Sequence, residues 1–203
     1  MKTHLLQILM ACVILIPAAS SQTVFLDEQF DAGIPATWTQ TTNASDGGWK
    51  GGNANSLSST SFELEAHGNL VATNDDDCNC NKSADRLISP SLDLSTASLV
   101  IVKFDLFYYD ASYDGSQEEG KLAYSTDGGT TWSILGTLTG GDGWQNGLLM
   151  DATAQVAGEG DVKFSWLYND GGGWTYGMGL DNVMVFEPAP VDVELTSLSI
   201  PFY

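Results

Sequence analysis

The chain has 203 residues and carries 26 acidic side chains against only seven Lys and Arg, which gives a formal net charge of −19. So acidic a surface repels nucleic acid and anionic membranes, because both are bound through basic patches. We therefore exclude nucleic acid as a partner. Carboxylate oxygens instead suit calcium, although an acidic surface also serves solubility alone.

The first 21 residues have the order of a secretory signal peptide. A short basic start is followed by the apolar run Leu5–Ile16 and then by small residues, with cleavage predicted after Ser20 or Ser21. Cys12 lies inside the apolar run, which argues against a lipoprotein attachment site. The run is too short to cross a bilayer comfortably, and no later stretch is long and apolar enough to do so. The sequence thus predicts a secreted, extracellular or cell-surface protein that does not insert into a membrane.

Residues 22–187 indicate one all-β domain. Short runs rich in Val, Ile, Phe, Tyr and Trp recur between clusters of Gly, Asp, Asn and Ser, which is typical of a β-sandwich. In LVIVKFDLFYY, apolar residues alternate with Lys103 and Asp105, as expected of a half-buried strand. No segment of helical length shows a 3.6-residue period free of Gly. The predicted strands are Thr23–Asp27, Phe62–Glu65, Asn69–Ala72, Arg86–Ile88, Ser98–Tyr109, Gly120–Ser125, Trp132–Thr137, Leu148–Asp151, Asp161–Tyr168 and Gly179–Phe186.

The stretch STDGGTTW, residues 125–132, fits the S-x-D-x-G-x-T-W pattern of the Asp box, which sialidases and other β-propellers repeat once per blade. The sequence has a single copy in a chain too short for a propeller. We interpret it as a hairpin turn in which Asp127 accepts hydrogen bonds from its own backbone, Gly128 and Gly129 supply positive φ, and Trp132 packs beneath the loop.

Residues 188–203 differ in character from the domain before them. Glu-Pro-Ala-Pro forms a stiff linker, because proline fixes φ and cannot extend a sheet ladder. VDVELTSLSIPFY then restarts an alternating strand, which cannot bury its apolar face alone. We expect this strand to open a following domain, or alternatively to pair Val191–Tyr203 with the sheet edge of a neighbouring chain.

Several weak motifs occur in a characteristic order. DEQFDAGIPATWTQ (27–40) precedes ADRLISPSLDLS (84–95), the long strand, the Asp box and GEGDVKFSWLYNDGGGWTYGMGLDNVMV (158–185). This order resembles the cleaved-adhesin or choice-of-anchor domains of secreted bacterial surface proteins, including the adhesin segments of gingipains, and distantly resembles MAM domains. The resemblance implies a two-sheet antiparallel jelly-roll β-sandwich without catalytic activity, often stabilised by calcium and attached to a protease, adhesin or other secreted enzyme. It also implies that 188–203 begins an immunoglobulin-like domain.

Acidic residues that cluster in predicted loops are candidate calcium ligands. The resemblance implies that the first and last strands pair, which would bring Glu28 and Asp181 together. The loop TNDDDCNCNKSAD supplies further carboxylate and amide oxygens, and irregular loops suit the six to eight oxygens that calcium takes. A solvated acidic turn is the alternative. The predicted metal ligands are Glu28, Asn74, Asp75, Asp77, Asp85 and Asp181, with Asp76 in the same run; a weaker second group is Asp110, Asp114, Glu118 and Glu119.

Cys78 and Cys80 stand in the same acidic loop. In an oxidising compartment they form a local disulfide or remain free thiols. They do not suggest a zinc site, because tetrahedral zinc needs four ligands and no further Cys or nearby His is available.

Aromatic residues among glycines are candidate ligand contacts. Rings flanked by Asp and Asn can stack on a sugar while the polar neighbours bind its hydroxyls; the alternative is that they cover the ends of the sandwich. Trp38 and Trp166, in contrast, are predicted to lie in the core. The predicted ligand-binding residues are Trp49, Trp144, Trp174 and Tyr176.

Nothing in the sequence assembles a familiar catalytic site. The mature part has one histidine, His67, and neither G-x-S-x-G nor H-E-x-x-H. We therefore predict a secreted, non-catalytic adhesion or carbohydrate-binding module that binds a glycan or a host or cell-surface protein, with calcium as its cofactor. The alternatives are an accessory domain of a secreted protease or glycosidase, and a structural spacer or fibre subunit that assembles by strand addition.

Overall fold

The alternating segment at the centre of the sequence forms a strand, Ile101–Tyr108, in which Phe104 and Leu106 are fully buried. It belongs to a computed structural model that describes residues 21–78 and 80–189. The predicted signal peptide up to Ser20 and the strand predicted over 191–203 lie outside the described residues.

The described residues are mostly in strands, joined by loops and three helices of a single turn. The strands are β1 (Thr23–Glu28), β2 (Thr39–Thr41), β3 (Lys50–Asn53), β4 (Asn69–Asn74), β5 (Asp85–Ile88), β6 (Ile101–Tyr108), β7 (Ser112–Tyr113), β8 (Ser116–Gln117), β9 (Glu119–Ser125), β10 (Ser133–Leu138), β11 (Trp144–Asp151), β12 (Lys163–Asn169) and β13 (Gly177–Glu187). The helices are α1 (Ala54–Leu57), α2 (Asp75–Cys78) and α3 (Thr153–Val156).

Two antiparallel sheets face each other. In the first sheet the order is β11-β6-β13-β4-β3, with β1 also paired to β13, and in the second it is β10-β9-β12-β5-β2. The long strand β13 pairs with β6 on one side and with β4 and then β1 on the other. The predicted two-sheet jelly-roll β-sandwich is therefore confirmed, and so is the pairing of the first strand with the last.

The main core lies between the sheets. Trp166 is fully buried, with its ring centroid 5.9 Å from that of Trp38 and 5.7 Å from that of Phe104. Both tryptophans thus lie in the core as predicted, where large rings provide most of the apolar area that drives folding.

A second apolar cluster covers part of the outer face of the first sheet. α1 and the irregular segment Ser58–His67 cross this face and bury Phe62 and Leu64 against Leu70 and Phe107. The strand predicted over Phe62–Glu65 is wrong: its alternation places Phe62 and Leu64 on the sheet face beneath, not in a ladder, and the Leu64 N–H donates to Ser58 Oγ at 2.9 Å.

The Asp-box stretch connects β9 to β10 as a turn closed by its own groups. Asp127 Oδ1 accepts from the Thr131 N–H at 2.8 Å, and Trp132 Nε1 donates to the Gly129 carbonyl at 3.1 Å. Gly128 and Gly129 have φ of 69° and 95°, a region that L side chains rarely enter. The backbone N–H of Thr131 lowers the pKa of Asp127 to about 2, which agrees with a local role in the turn.

Candidate functional site

Four aromatic rings gather where β6 ends, beside the β7–β8 ribbon and the loop that leads into β13. Two adjoining cavities of about 490 and 230 Å³ share Ser61 and Tyr176. The larger is lined by Tyr109, and the smaller by Tyr113 and Trp174. We call these cavities together the aromatic cleft. Its polar lining includes Asp142 at one end and Asp76 at the other.

The rings of the cleft differ in how far they are exposed. Tyr113 and Trp174 are 52% and 54% exposed, so much of each ring can meet a ligand. Tyr109 and Tyr176 are half-buried and pack edge-to-face with centroids 5.3 Å apart, and Tyr109 also packs against Phe62. The second apolar cluster therefore holds the inner two rings, while the outer two face solvent.

The loop that carries Trp174 is positioned by buried polar groups. The Thr175 N–H donates to Asp75 Oδ2 at 2.7 Å, and the Gly172 N–H donates to Asp170 Oδ1 at 2.8 Å. A Cβ atom at Gly171 would lie 2.4 Å from the Gln117 carbonyl oxygen, so only glycine lets the loop pass this close to β8. The loop geometry is thus fixed by contacts remote from the exposed ring.

A buried hydrogen-bond chain lies behind this loop. Tyr168 Oη donates to Glu118 Oε2 at 3.0 Å and shares a 2.7 Å hydrogen bond with Thr175 Oγ1, which in turn lies 3.3 Å from Asp75 Oδ2. Burial raises the pKa of Glu118 to about 7 and that of Asp75 to about 6, in spite of the hydrogen bonds that each carboxylate accepts. Glu118, a member of the weaker acidic group in the sequence, is therefore a buried support of the loop.

A fully buried ammonium group lies under the neighbouring loop. Lys82 Nζ is 2.9 Å from Asp46 Oδ1 and 3.2 Å from Asp85 Oδ2, and Asp85 also accepts hydrogen bonds from Thr42 and Thr73. The prediction that Asp85 binds calcium is therefore corrected, because the ammonium of Lys82 already pairs with its carboxylate. Cys78 and Cys80 in this loop are joined by a disulfide.

The other predicted ligands in the acidic loop also have structural partners. Asn74 Oδ1 accepts the Asp77 N–H at 3.0 Å at the start of α2, and Asp75 binds Thr175 as described above. Asn74 pairs with Gly177 in β13, whereas Asp181 lies four residues further along that strand, or roughly 13 Å away. The six predicted calcium ligands therefore do not form one site.

Among the described residues, one group of three carboxylate, His or Cys side chains brings its ligand atoms close enough together to hold a metal ion. It joins Asp46 to the two disulfide-bonded cysteines, and a disulfide sulfur lacks the thiolate that binds metals. We therefore assign no metal ion to this group.

The backbones of Glu28 and Asp181 lie near each other, as the resemblance implied, but their side chains leave the sheet on opposite faces, because Glu28 pairs with the core residue Val183 and Asp181 with Asp105. Glu28 is paired with Val183, two residues from Asp181. Asp181 is only 3% exposed and lies opposite Asp105 across the β13–β6 ladder. Burial raises the pKa of Asp181 to about 6, and the negative charges of Asp105 and Asp31 add to this effect.

The side chain of His67 lies over the paired strands β6 and β13 rather than in an open turn. Its Nε2 is 2.9 Å from Asp105 Oδ2 and 3.7 Å from Asp181 Oδ2. The imidazole also stacks on Trp144 with a centroid distance of 4.0 Å and an interplanar angle of 15°. Sequence reasoning missed this contact, because His67 and Trp144 are far apart in the chain.

Of the four predicted ligand-binding rings, the structure brings two together, Trp174 and Tyr176 in the aromatic cleft. Trp49 is 2% exposed and belongs to the main core, so its predicted role is corrected. In Trp144, His67 covers one face of the ring and Nε1 donates to the Glu65 carbonyl, and its predicted ligand-binding role stays a prediction. The missed rings are Tyr109 and Tyr113, whose signal was the tyrosine-rich stretch YYDASY after the long strand.

No protein-family model matches the sequence, and no curated protein matches it significantly. Solved structures, in contrast, share the fold. The K1 cleaved adhesin domain of Lys-gingipain from Porphyromonas gingivalis is 21% identical with a TM-score of 0.58, over 81% of this chain and 98% of that domain. The K3 cleaved adhesin domain of the same protein is 18% identical with a TM-score of 0.56, over 82% and 99%.

A third similar structure is TmCBM61 in complex with β-1,4-galactotriose, which is 17% identical with a TM-score of 0.53, over 81% of this chain and 98% of that one. The resemblance to cleaved adhesins is thus confirmed at the level of the fold. Over the described residues, no helix has the length and apolar character needed to cross a membrane.

Proposed function

We propose that this domain is a secreted, non-catalytic carbohydrate-binding module that takes a glycan in the aromatic cleft. The observation that carries the proposal is the cleft itself: two adjoining cavities with four aromatic rings and the polar side chains of Ser61, Asp76 and Asp142. Aromatic faces stack on the apolar faces of sugar rings, while carboxylates and hydroxyls bind the sugar hydroxyls around them.

The similar structures support the same class of function. One of them was solved with β-1,4-galactotriose, and two are cleaved adhesin domains. The acidic surface and the predicted signal peptide agree with an extracellular setting. Fold likeness alone does not assign a ligand, so the proposal depends on the cleft.

The first prediction is that Trp174→Ala weakens glycan binding at least tenfold, a loss of about 1.4 kcal/mol. The residue is 54% exposed, so we expect its free energy of unfolding to stay near that of the wild type. A glycan array should first identify the saccharide bound by the wild-type chain, and calorimetric titration should then compare the variants.

Trp174→Phe should recover part of the affinity, because it keeps an aromatic face. Leu149→Ala is the matched control: Leu149 is 64% exposed on β11, outside the cleft, and its loss should leave binding unchanged. A wild-type chain that binds no saccharide on the array, or equal affinity of Trp174→Ala and wild type, would contradict the proposal.

We also propose that calcium binds beside Asp181, near the pairing of β1 and β13, rather than in the acidic loop. The charges around Asp181 support this proposal, because Asp181 is buried beside like charges from Asp105 and Asp31. Calcium would offset the repulsion among these carboxylates when bound.

The second prediction is that a chelator lowers the melting temperature and that added calcium restores it. Calcium at a hundredfold excess over its dissociation constant would stabilise the fold by about 2.7 kcal/mol. Asp181→Asn should abolish the response to calcium, whereas Asp77→Asn, in the acidic loop, should retain it. Identical melting curves in chelator and in calcium, with no metal found by elemental analysis, would refute the site; a calcium response that survives in Asp181→Asn would place the ion elsewhere.

A further inference from the structure

A third cavity, of about 430 Å³, lies on the outer face of the first sheet, and two β-bulges shape it. The ladders on both sides of β6 are irregular: β11 shifts register between Gln145 and Leu148, and β13 shifts between Asp181 and Met184. Bulges bend a strand and re-aim its side chains. We call this cavity the bulge groove.

One buried carboxylate holds both bulges in place. Asp105 Oδ1 accepts the N–H of Gly147 at 2.5 Å, and Asp105 Oδ2 accepts Asn182 Nδ2 at 2.7 Å. Gly147 and Asn182 both have positive φ, of 66° and 51°. Asn182 is not a glycine, so its conformation is uncommon and is sustained here by the bond to Asp105. The groove is thus pre-organised by contacts of the protein alone.

The remaining polar groups of the groove are available to a ligand. Lys103 lines it, and this lysine forms no ion pair with any residue in the described part of the chain. Gln29 and Asn146 are exposed amides in the lining, and each can both donate and accept hydrogen bonds. Asn182 uses its amide NH₂ on Asp105, which leaves its Oδ1 as an acceptor.

The charges of the groove do not favour an anionic ligand. The ammonium of Lys103 and the carboxylate of Asp27 both line it and balance each other, while the carboxylate of Asp105 is already bound by His67, Asn182 and Gly147. Met184 is the main apolar part of the lining, and no aromatic ring takes part. A ligand here would be held through many hydroxyl groups and not by ring stacking.

We propose that the bulge groove is a second saccharide subsite, which binds an uncharged sugar through hydrogen bonds to its hydroxyl groups. The inference shares with the proposed function the premise that the domain binds glycans, but it does not depend on the aromatic cleft. Asn182 lies six residues beyond Tyr176 along β13, or roughly 20 Å away. The two subsites are therefore separate, and one glycan or two could engage them.

The test uses nuclear magnetic resonance of the whole secreted chain titrated with three probes, β-1,4-galactotriose, β-1,4-xylotriose and β-1,4-cellotriose. At least one should shift the side-chain amide signals of Gln29, Asn146 and Asn182. Lys103→Met should weaken that binding at least tenfold, whereas Lys121→Met, which removes a partly buried lysine paired with Glu119, should not change it.

The outcomes separate the two proposals. Shifts of the Trp174 indole without shifts of the groove amides would overturn the bulge-groove subsite and leave the cleft intact. Shifts of the groove amides that persist in Trp174→Ala would support the subsite even if the cleft bound nothing. Tighter, salt-sensitive binding of trigalacturonate than of galactotriose would overturn the assignment to uncharged sugars, because only a charged ligand gains from Lys103 in that way. No shift with any of the probes would refute the inference.

Discussion

Replacement of Lys82 by Met is expected to lower the free energy of unfolding by about 3–5 kcal/mol, as is usual when one partner of a buried ion pair is removed. Lys82 and Asp85 are both fully buried, and the ammonium lies within 3.2 Å of the carboxylate of Asp85 and 2.9 Å of that of Asp46. Without it, Asp85 retains a charge that neither water nor a cation compensates. Urea denaturation at neutral pH measures the effect.

Lys50 provides the matched control, because it binds the same Asp46 from outside. Its Nζ is 2.9 Å from Asp46 Oδ2, and its side chain is 47% exposed. Lys50→Met should therefore cost no more than about 1 kcal/mol, the range of surface ion pairs. The double variant Lys82→Met/Asp85→Asn should recover part of the loss, because it removes the unpaired charge. Equal effects of Lys82→Met and Lys50→Met would show that the burial of Lys82 does not matter.

The second prediction with a large expected effect is that the free energy of unfolding increases as the pH falls from 8 to 5. Burial raises the pKa of Glu118 from 4.5 to about 7 and that of Asp75 from 3.8 to about 6. Between the unfolded and folded values the folded chain binds more protons than the unfolded chain, so its stability decreases as the pH rises. The stability that Glu118 contributes is fully present below its unfolded pKa of 4.5 and is lost as the pH rises above 7. Since one pKa unit corresponds to about 1.4 kcal/mol, Glu118 alone contributes roughly 2–3 kcal/mol over this range.

Denaturant unfolding at a series of pH values, in the presence of a chelator, measures this dependence. The chelator matters because Asp181, whose pKa is also raised to about 6, belongs to the proposed calcium site. Glu118→Gln should flatten the profile, whereas Glu119→Gln, at an exposed neighbouring position, should not. Below about pH 4 the trend should reverse, because Asp127, with a pKa lowered to about 2, then loses its turn contacts on protonation. Stability that rises steadily from pH 5 to pH 8 would contradict the assignment of buried carboxyl groups.

Part of the fold could be predicted from the sequence, because a strand whose two faces differ in polarity leaves a period of two. The strand β6 was found in this way, whereas β12 and β13 were found as runs rich in Val, Phe, Tyr and Trp. β2 and β3 were missed because TQT and KGGN present almost no buried side chain and carry no apolar pattern. The segment Phe62–Glu65 was misassigned for the opposite reason: an irregular chain lying on a sheet buries every second residue just as a strand does.

The candidate site was harder to predict, because similar local sequences have different tertiary surroundings. Trp49, Trp144 and Trp174 all stand next to glycine and aspartate, yet the first is in the core, the second stacks on His67, and only the third lines the cleft. Lys82 likewise lies just after the acidic run DDDCNC, and nothing in its local sequence predicts burial. Only the folded chain brings Asp46 and Asp85 around it.

The irregular segment Ser58–His67 has a consequence for solubility. It is held by few backbone bonds, among them that of Ser59 N–H to the Phe62 carbonyl, yet it covers Leu70 and Phe107 on the outer face of the first sheet. A chain cut or shortened within it would keep the sandwich core but expose an apolar sheet face to other molecules. Contiguous apolar surface of this kind drives association, so we expect this irregular segment to protect an otherwise acidic domain from aggregation through its own sheet.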